Sequence, residues 1–170
     1  MPNERLVYIC AGSNMGDRLY YIREATHRLQ EYKDQKLLRV SILYGSEPWG
    51  NKDQPDYLNC VLEIETDCEP FDLLDRLKYI EKFVGRRSRS GNWPPREIDL
   101  DILLYRTLII KNQRLIIPHK YLVSRRFMLQ PLHELVPHLE LPGYGISVSQ
   151  ALQQCPDQGR VEVYLTSWLN

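Results

Sequence analysis

The stretch "IDLDILLY" (residues 98–105) constrains the fold of this chain more than any other. It is apolar except for Asp99 and Asp101, which stand at alternate positions. Asp is a poor strand former, and a carboxylate is costly to bury without a partner. Because side chains alternate along a strand, we expect both acids on one face, which Leu103 and Tyr105 continue. The core side of this predicted strand takes Ile98, Leu100, Ile102 and Leu104.

The two acids are candidate ligands for a hard cation. Neighbouring positions on one strand face are roughly 7 Å apart, so both carboxylates can converge on Mg²⁺, which prefers oxygen ligands and is usually shared with phosphates. An ordinary solvated strand face explains two alternating acids equally well. An arginine-rich segment leads into the strand, and guanidinium groups beside a cation site indicate a polyphosphate between them. These arginines are Arg86, Arg87, Arg89 and Arg96.

The hydrophobic patterning predicts alternating strands and helices. Strands are predicted over 6–11, 38–44, 57–66, 98–105 and 161–168, with two short strands within 108–117. Helices are predicted over 18–31, 69–85, 127–136 and 147–154. Residues 12–17 indicate a strand-to-helix turn, 45–56 a loop, and 118–127 a loop or short helical turn. Because 57–66 alternates between an apolar and a polar face, we expect an antiparallel sheet covered on one side, within an α+β sandwich.

Size and charge exclude several classes of protein. The chain has 170 residues, which fits a single domain over 1–170. Its 22 basic and 22 acidic residues leave no net charge, which argues against bulk binding to nucleic acid or membrane surfaces. The four cysteines lack metal-site spacing. Without a signal-peptide pattern or an apolar run near the roughly 20 residues that cross a bilayer, we expect a cytoplasmic protein. We also expect a monomer.

Aromatic and amide residues suggest a slot for a flat heterocycle. Tyr57 and Asn59 share a strand face, and Phe127 follows two arginines. Each is an ordinary packing or strand residue when considered alone, but together they can stack on a ring and bind its polar edge. His119 is interpreted on its own as a surface histidine. The GxxxxGK[ST] phosphate-binding pattern does not occur.

Five runs of the sequence, in order and spacing, resemble one family, the 6-hydroxymethyl-7,8-dihydropterin pyrophosphokinases. They are "AGSNMGD", "DQPDYLN", "GRRSRSGNWPPREIDLDILLY", "IIPH" and "RRFMLQPL", and the resemblance spans roughly residues 6–142. It implies a ferredoxin-like α+β sandwich, with a mainly antiparallel central sheet flanked by helices. It also implies that the protein transfers the β,γ-diphosphate of ATP to the hydroxymethyl group of the pterin, which leaves AMP, in folate synthesis.

The resemblance also implies a role for individual residues. Asp99 and Asp101 would hold two Mg²⁺ ions, and the pterin hydroxyl would attack the β-phosphorus in line. The implied catalytic residues are Arg86, Arg96, Asp99 and Asp101. The implied ATP-binding residues are Lys78, Glu81, Arg86, Trp93, Arg96, Ile102, His119 and Arg125. The implied pterin-binding residues are Ser46, Trp49, Tyr57, Asn59, Trp93 and Phe127.

Some positions depart from the family pattern. Pro94 stands where a small residue, most often Gly, is usual, and this stiffens a loop that should move. Trp49 replaces a smaller apolar residue. Ser88, Lys78 and Lys120 stand where Arg, Gln, and Pro or Tyr are common. These departures bear on loop closure and on contacts with ATP, rather than on the type of reaction.

Two other functions compete with this one. A nucleotidyltransferase of the polymerase-β type also combines a Gly-Ser turn with a D-x-D strand, but its Gly-Ser lies shortly before the acids. Here Gly12 and Ser13 are far from Asp99 in the sequence. An RNA-binding module would use exposed aromatic residues on a sheet together with the arginines, although the neutral charge and the two acids argue against it.

Overall fold

The computed structural model describes residues 5–85, 87 and 94–169. The strands are β1 (Leu6–Ser13), β2 (Gln35–Val40), β3 (Leu43–Ser46), β4 (Tyr57–Thr66), β5 (Asp99–Tyr105), β6 (Ile110–Lys111), β7 (Ile116–Ile117) and β8 (Val161–Leu165). The helices are α1 (Arg18–Gln30), α2 (Pro70–Val84), α3 (Arg126–Leu135) and α4 (Val148–Gln154), and a 3₁₀ turn covers Leu122–Ser124.

The central sheet is antiparallel. Its strands follow the order β5-β1-β4-β3-β8, and β2 pairs with the far half of β4. β6 and β7 form a separate two-stranded hairpin, as the sequence predicts. This antiparallel sheet with flanking helices confirms the predicted α+β, ferredoxin-like architecture.

The first face of the sheet is covered by α1 and α2. The Asp17 side chain caps α1, since it accepts a hydrogen bond from Tyr20 N at 3.0 Å. Pro70 occupies the first turn of α2, and Gly85 ends that helix with φ at +124°. The helices bury their predicted apolar stripes against β1, β4 and β5. The fully buried residues of these stripes include Ile22, Ala25, Leu29, Leu73 and Leu77.

The second face is covered as well, so the prediction of a sheet covered on one side is wrong. On β4, Val61 is fully buried and Glu63 is 4% exposed. Helices α3 and α4 pack over this part of the face with an apolar cluster of their own. Glu63 tolerates burial because Arg39 binds both of its carboxylate oxygens. The helix residues of this cluster include Met128, Leu129, Leu132, Val148 and Ala151.

A β-bulge divides β5 into two parts. Ile102 pairs with Ile9 and Leu104 pairs with Tyr8, so Leu103 is an extra residue on this strand. Leu104 therefore packs on the second face, although strict alternation predicts it on the first. Tyr105 points to the other side and packs in the core of the first face. The prediction that it shares a face with Asp99 and Asp101 is therefore also wrong.

Several boundaries differ from the predicted elements, and the last strand ends at Leu165 rather than at residue 168. The single strand expected over 38–44 is two strands, because Ser41 leaves the edge of the sheet and bonds to Val61 through both its N–H and its hydroxyl oxygen. The first strand runs to Ser13, so Gly12 and Ser13 belong to β1 rather than to the predicted turn.

All four cysteines are buried free thiols. Among the described residues, none of the helices has the length and apolar character needed to span a bilayer.

Candidate active site

A cavity of about 150 Å³ lies on the second face, beside the region covered by α3 and α4. Ten residues predicted for the site line it. They are Ser46, Trp49, Tyr57, Asn59, Arg96, Asp99, Asp101, His119, Arg125 and Phe127. The lining also includes Cys10, Gly12, Glu47, Pro94 and Tyr121, which the sequence did not place in a site. The structure thus brings together residues from four separate parts of the chain.

The floor of the cavity is a row of three paired residues on adjacent strands. Gly12 on β1 pairs with Asn59 on β4 and with Asp99 on β5. A Cβ atom at Gly12 would lie 2.7 Å from Asn59 Oδ1, closer than real contacts allow. The glycine therefore leaves room for the Asn59 amide above β1. In the next row, Cys10 pairs with Asp101 and with the buried Val61, so this row marks the edge of the apolar cluster.

The two acids face the cavity together, as the alternation predicts. Burial, followed by the charge of the neighbouring Asp99 carboxylate, raises the pKa of Asp101 to about 7, while the charges of Lys78 and Arg96 oppose the shift. Arg96 Nη1 donates a hydrogen bond to Asp99 Oδ2 at 2.7 Å. A cation at this pair would relieve the repulsion between the carboxylates.

Mg²⁺ suits this arrangement because it keeps several waters and takes only one or two carboxylates from a protein. In the described residues, no cluster of three or more His, Cys, Asp or Glu side chains is arranged to hold a metal ion. The described residues therefore do not form a metal site in which every ligand comes from the protein. Two carboxylates beside an open cavity leave the other coordination positions to water and to a ligand.

Glu81 and Lys78 support the acids from α2 without lining the cavity. Glu81 is 2% exposed, and its Oε1 accepts hydrogen bonds from Leu100 N at 2.7 Å and from Lys78 Nζ at 3.0 Å. Leu100 lies between the two acids, so this bond fixes the backbone that carries them. Ile102 is buried in the core of the first face and does not line the cavity.

His119 is positioned by the bulge in β5. The Leu103 carbonyl accepts a hydrogen bond from His119 N at 2.9 Å. Burial, followed by the charge of the nearby Arg125, lowers the pKa of His119 to about 4, so the ring is neutral at pH 7. Tyr121 N donates to His119 Nδ1 at 3.2 Å, which places the proton of the neutral ring on Nε2. His119 lines the cavity and is not an ordinary surface histidine.

Arg125 brings a buried guanidinium to the cavity. Arg125 is 5% exposed, and burial lowers the pKa of its guanidinium group. The guanidinium carbon lies 4.2 Å from the centroid of the Trp49 ring and 4.1 Å from that of the Tyr121 ring. Such contacts attract a cation to the faces of aromatic rings. Arg125 therefore sits in a corner formed by two aromatic residues, one of which, Trp49, departs from the expected residue.

Residues predicted for a heterocycle slot also line the cavity, and the Phe127 ring centroid lies 6.0 Å from the Arg125 guanidinium carbon. Tyr57 and Phe127, from β4 and α3, both line the cavity. Asn59 is 1% exposed, and its Nδ2 donates a hydrogen bond to Ser46 Oγ at 2.7 Å. The Asn59 amide thus has a fixed orientation where it faces the cavity.

Arg86 and Trp93, as well as Ser88 and Arg89, lie outside the described residues, so their predicted roles stay predictions. Tyr121 was missed because nothing in the loop 118–127 distinguishes it from a packing residue. Gly12 was missed because its role depends on the register of β1 against β4 and β5, which the glycine itself does not reveal.

The sequence matches known proteins over most of its length. The family model described as 7,8-dihydro-6-hydroxymethylpterin-pyrophosphokinase (HPPK) matches residues 8–137. The chain is 42% identical over 138 residues to a 2-amino-4-hydroxy-6-hydroxymethyldihydropteridine pyrophosphokinase of Aquifex aeolicus, covering 81% of this chain and 84% of that protein. It is 38% identical over 156 residues to the protein of that name from Haemophilus influenzae, covering 92% and 96%.

Solved structures share the fold. The wild-type HPPK-DHPS of Plasmodium falciparum superposes with a TM-score of 0.70 at 14% identity, over 88% of this chain. This chain spans 44% of that longer chain. It also spans 20% of the folic acid synthesis protein fol1 of Pneumocystis carinii, to which it is 39% identical over 151 residues. Proteins similar to this one therefore also occur as parts of longer chains.

Proposed function

Because this chain belongs to the 7,8-dihydro-6-hydroxymethylpterin-pyrophosphokinase family, we propose that it transfers diphosphate from ATP to 6-hydroxymethyl-7,8-dihydropterin. The products are the pterin diphosphate and AMP, and the reaction serves folate synthesis. By family the chain is an ATP-dependent diphosphokinase, an enzyme that generally needs Mg²⁺.

The row Asn59–Gly12–Asp99 is the observation that supports this assignment most directly. It joins an amide beside two aromatic residues to a pair of carboxylates, across a glycine without a side chain. A flat ring lying in the slot would extend its hydroxymethyl arm over Gly12 toward Asp99. Asn59 would bind the polar edge of the pterin, between Tyr57 and Phe127.

The proposed metal sites use the two acids. Asp99 and Asp101 would hold two Mg²⁺ ions, which when bound neutralise the triphosphate and lower the pKa of the attacking hydroxyl. Asp101 must be ionised for this role, and Lys78 and Arg96 favour its charged form. Glu81 keeps the segment that carries both acids in place through its bond to Leu100 N.

The arginines and the histidine would bind the phosphates. Arg96 pairs with Asp99 and would exchange this partner for a phosphate oxygen when the substrates bind. Arg125, held against its two rings, would donate to the same chain of phosphates. His119 would act as a neutral donor through Nε2, because its pKa of about 4 keeps it uncharged. These groups stabilise charge as it moves to AMP, and phosphoryl transfer needs little more from a protein.

Other residues join the site on the strength of the family resemblance alone. Arg86 and Trp93 would contact ATP, and Trp93 would also close over the pterin. Ser46 and Trp49, which both line the cavity, would complete the pterin slot. Ile102 would have to act through its backbone, since its side chain is buried on the first face.

One assay tests the reaction. Purified protein is supplied with ATP, Mg²⁺ and 6-hydroxymethyl-7,8-dihydropterin, and the nucleotides are separated by chromatography. We expect AMP in an amount equal to the pterin diphosphate, and none when the pterin is left out. Release of pyrophosphate would instead indicate attack on the α-phosphorus, as in a nucleotidyltransferase. Folded protein without turnover, but with RNA affinity that falls steeply with salt, would indicate the binding module.

A further inference from the structure

We propose that Asn14 is a positioning residue that connects the pterin side of the cavity to the phosphate side. Asn14 follows β1 directly and is 1% exposed. Its Nδ2 donates to Gln54 Oε1 at 3.0 Å and to the Pro55 carbonyl at 3.1 Å. Its Oδ1 accepts from Arg96 N at 2.8 Å. One amide thus holds two segments that lie far apart in sequence.

The chemistry of the partners fixes the orientation of the amide. The Pro55 carbonyl can only accept and the Arg96 N–H can only donate, so Nδ2 must face the first and Oδ1 the second. The backbone adds a further bond, since Asn14 N donates to the Arg96 carbonyl at 3.0 Å. Gln54 is itself oriented, because its Nε2 donates to the Asn51 carbonyl at 2.7 Å. Among the other residue types, only Gln carries the same neutral amide with a donor and an acceptor, and its side chain is one methylene group longer.

Each segment carries one half of the site. The loop 51–56 leads from Trp49 into Tyr57, which both line the cavity and are proposed to bind the pterin. The other segment, 94–96, leads into β5 with its two acids, and Arg96 pairs with Asp99. Since a buried amide bonded at both ends costs free energy to separate from its partners, the two segments should be ordered together. Asn14 would therefore couple the order of the pterin loop to that of the phosphate-binding segment.

Asn14→Asp separates the two connections. The carboxylate still accepts from Arg96 N, but its second oxygen meets the Pro55 carbonyl, which also only accepts. The loop is then released while the Arg96 bond remains. Asn14→Ala removes both side-chain connections. Asn112→Ala serves as the control, because that side chain caps a turn at Arg114 N, away from the cavity.

Limited proteolysis tests the connection without any substrate. Lys52 lies in the loop with its side chain 74% exposed, so trypsin cleavage after it, identified by mass spectrometry, measures release of the loop. We expect cleavage about tenfold faster in Asn14→Asp and in Asn14→Ala, the size expected for losing about one or two hydrogen bonds, and unchanged in Asn112→Ala. An unchanged rate in Asn14→Asp would overturn the proposal.

Steady-state kinetics test the coupling, which rests on the proposed function. Asn14→Asp should raise the KM for the pterin about tenfold and leave the KM for ATP within about twofold. Asn14→Ala should raise both KM values and lower kcat, because Arg96 N also loses its side-chain acceptor and only the backbone bond from Asn14 N to the Arg96 carbonyl remains. Equal changes in both KM values for Asn14→Asp would indicate a merely structural role and would overturn the coupling. Wild-type protein without pterin-dependent AMP would overturn the proposed function, whereas the proteolysis would still decide whether Asn14 holds the loop.

Discussion

The second face of the sheet has two halves that use the same strands in opposite ways. Under α3 and α4, β4 and β5 present Val61 and Leu103, both fully buried in an apolar cluster. A few residues away on the same strands, Asn59 and Asp99 line an open cavity. One half of the face is closed by helices, and the other is left open to a ligand. The boundary falls at Cys10, which belongs to the cluster and also lines the cavity.

The difference between the halves shows how a small domain separates stability from function. The closed half gains free energy from apolar burial and from the Arg39–Glu63 pair. The open half holds two carboxylates on one strand face, and burial, followed by the charge of Asp99, raises the pKa of Asp101, so the ionised form of Asp101 is disfavoured without a cation. Changes in the open half should therefore alter activity, and changes in the closed half should alter stability.

The largest expected effect follows from removing an acid of the open half. Asp99→Ala and Asp101→Ala should each reduce kcat by about a thousandfold, since each takes away charge that the proposed mechanism requires. Turnover is measured as pterin-dependent AMP, and circular dichroism should show that both variants remain folded. Near-normal turnover in either variant would contradict the metal assignment.

The opposite result is expected in the closed half. Leu132 is fully buried in α3, so Leu132→Ala should lower the free energy of unfolding by about 2–5 kcal/mol. Urea denaturation measures this loss. The kcat per folded molecule should stay within about twofold of wild type. A stable but inactive Leu132→Ala protein would show that the two halves are not separate.

A smaller and more selective effect is expected at the floor of the cavity. Gly12→Ala places a methyl group against Asn59 Oδ1, so it should raise the KM for the pterin about tenfold and change the KM for ATP much less. Gly45→Ala is the matched control, because no atom lies within 4 Å of a Cβ atom there. Equal kinetics for the two variants would mean that the space above Gly12 is not used.

The smallest effect concerns stability in the open half. Asp101 has its pKa raised from 3.8 to about 7 in the folded protein, so unfolding becomes easier as the pH rises through this range. Asp101→Asn removes this loss and should melt a few degrees higher than wild type at about pH 8 without Mg²⁺. At about pH 4 the two melting temperatures should agree. A lower melting temperature for the variant at both pH values would contradict this assignment.

The hydrophobic periodicity of single strands and helices made much of this molecule predictable. It indicated the α+β class, the same-face position of Asp99 and Asp101, and the stripes of α1 and α2. It failed at Leu104 and Tyr105, because a bulge inserts one residue and reverses the faces beyond it. It failed also for the second face, because burial of Glu63 depends on Arg39 from a different strand.

The sequence indicated which residue types belong to the candidate site, but not how they are arranged. Tyr57, Asn59 and Phe127 were selected from the residue pattern, and Arg125 from the resemblance. The contribution of Gly12 depends on strand register, and that of Tyr121 on a contact with Arg125. The connection through Asn14 joins three segments of the chain, so no local pattern contains it.

The row Asn59–Gly12–Asp99 also fixes the distance between the positions that carry the Asn59 amide and the Asp99 carboxylate. Neighbouring strands are about 4.8 Å apart, so the amide and the carboxylate are attached roughly 10 Å from each other across β1. Backbone hydrogen bonds maintain this separation, whereas loops can move. In the proposed complex, a pterin with a hydroxyethyl arm would bring its hydroxyl past the metal pair. Selectivity for the one-carbon arm would thus come from the spacing of the sheet rather than from any side chain that touches the arm.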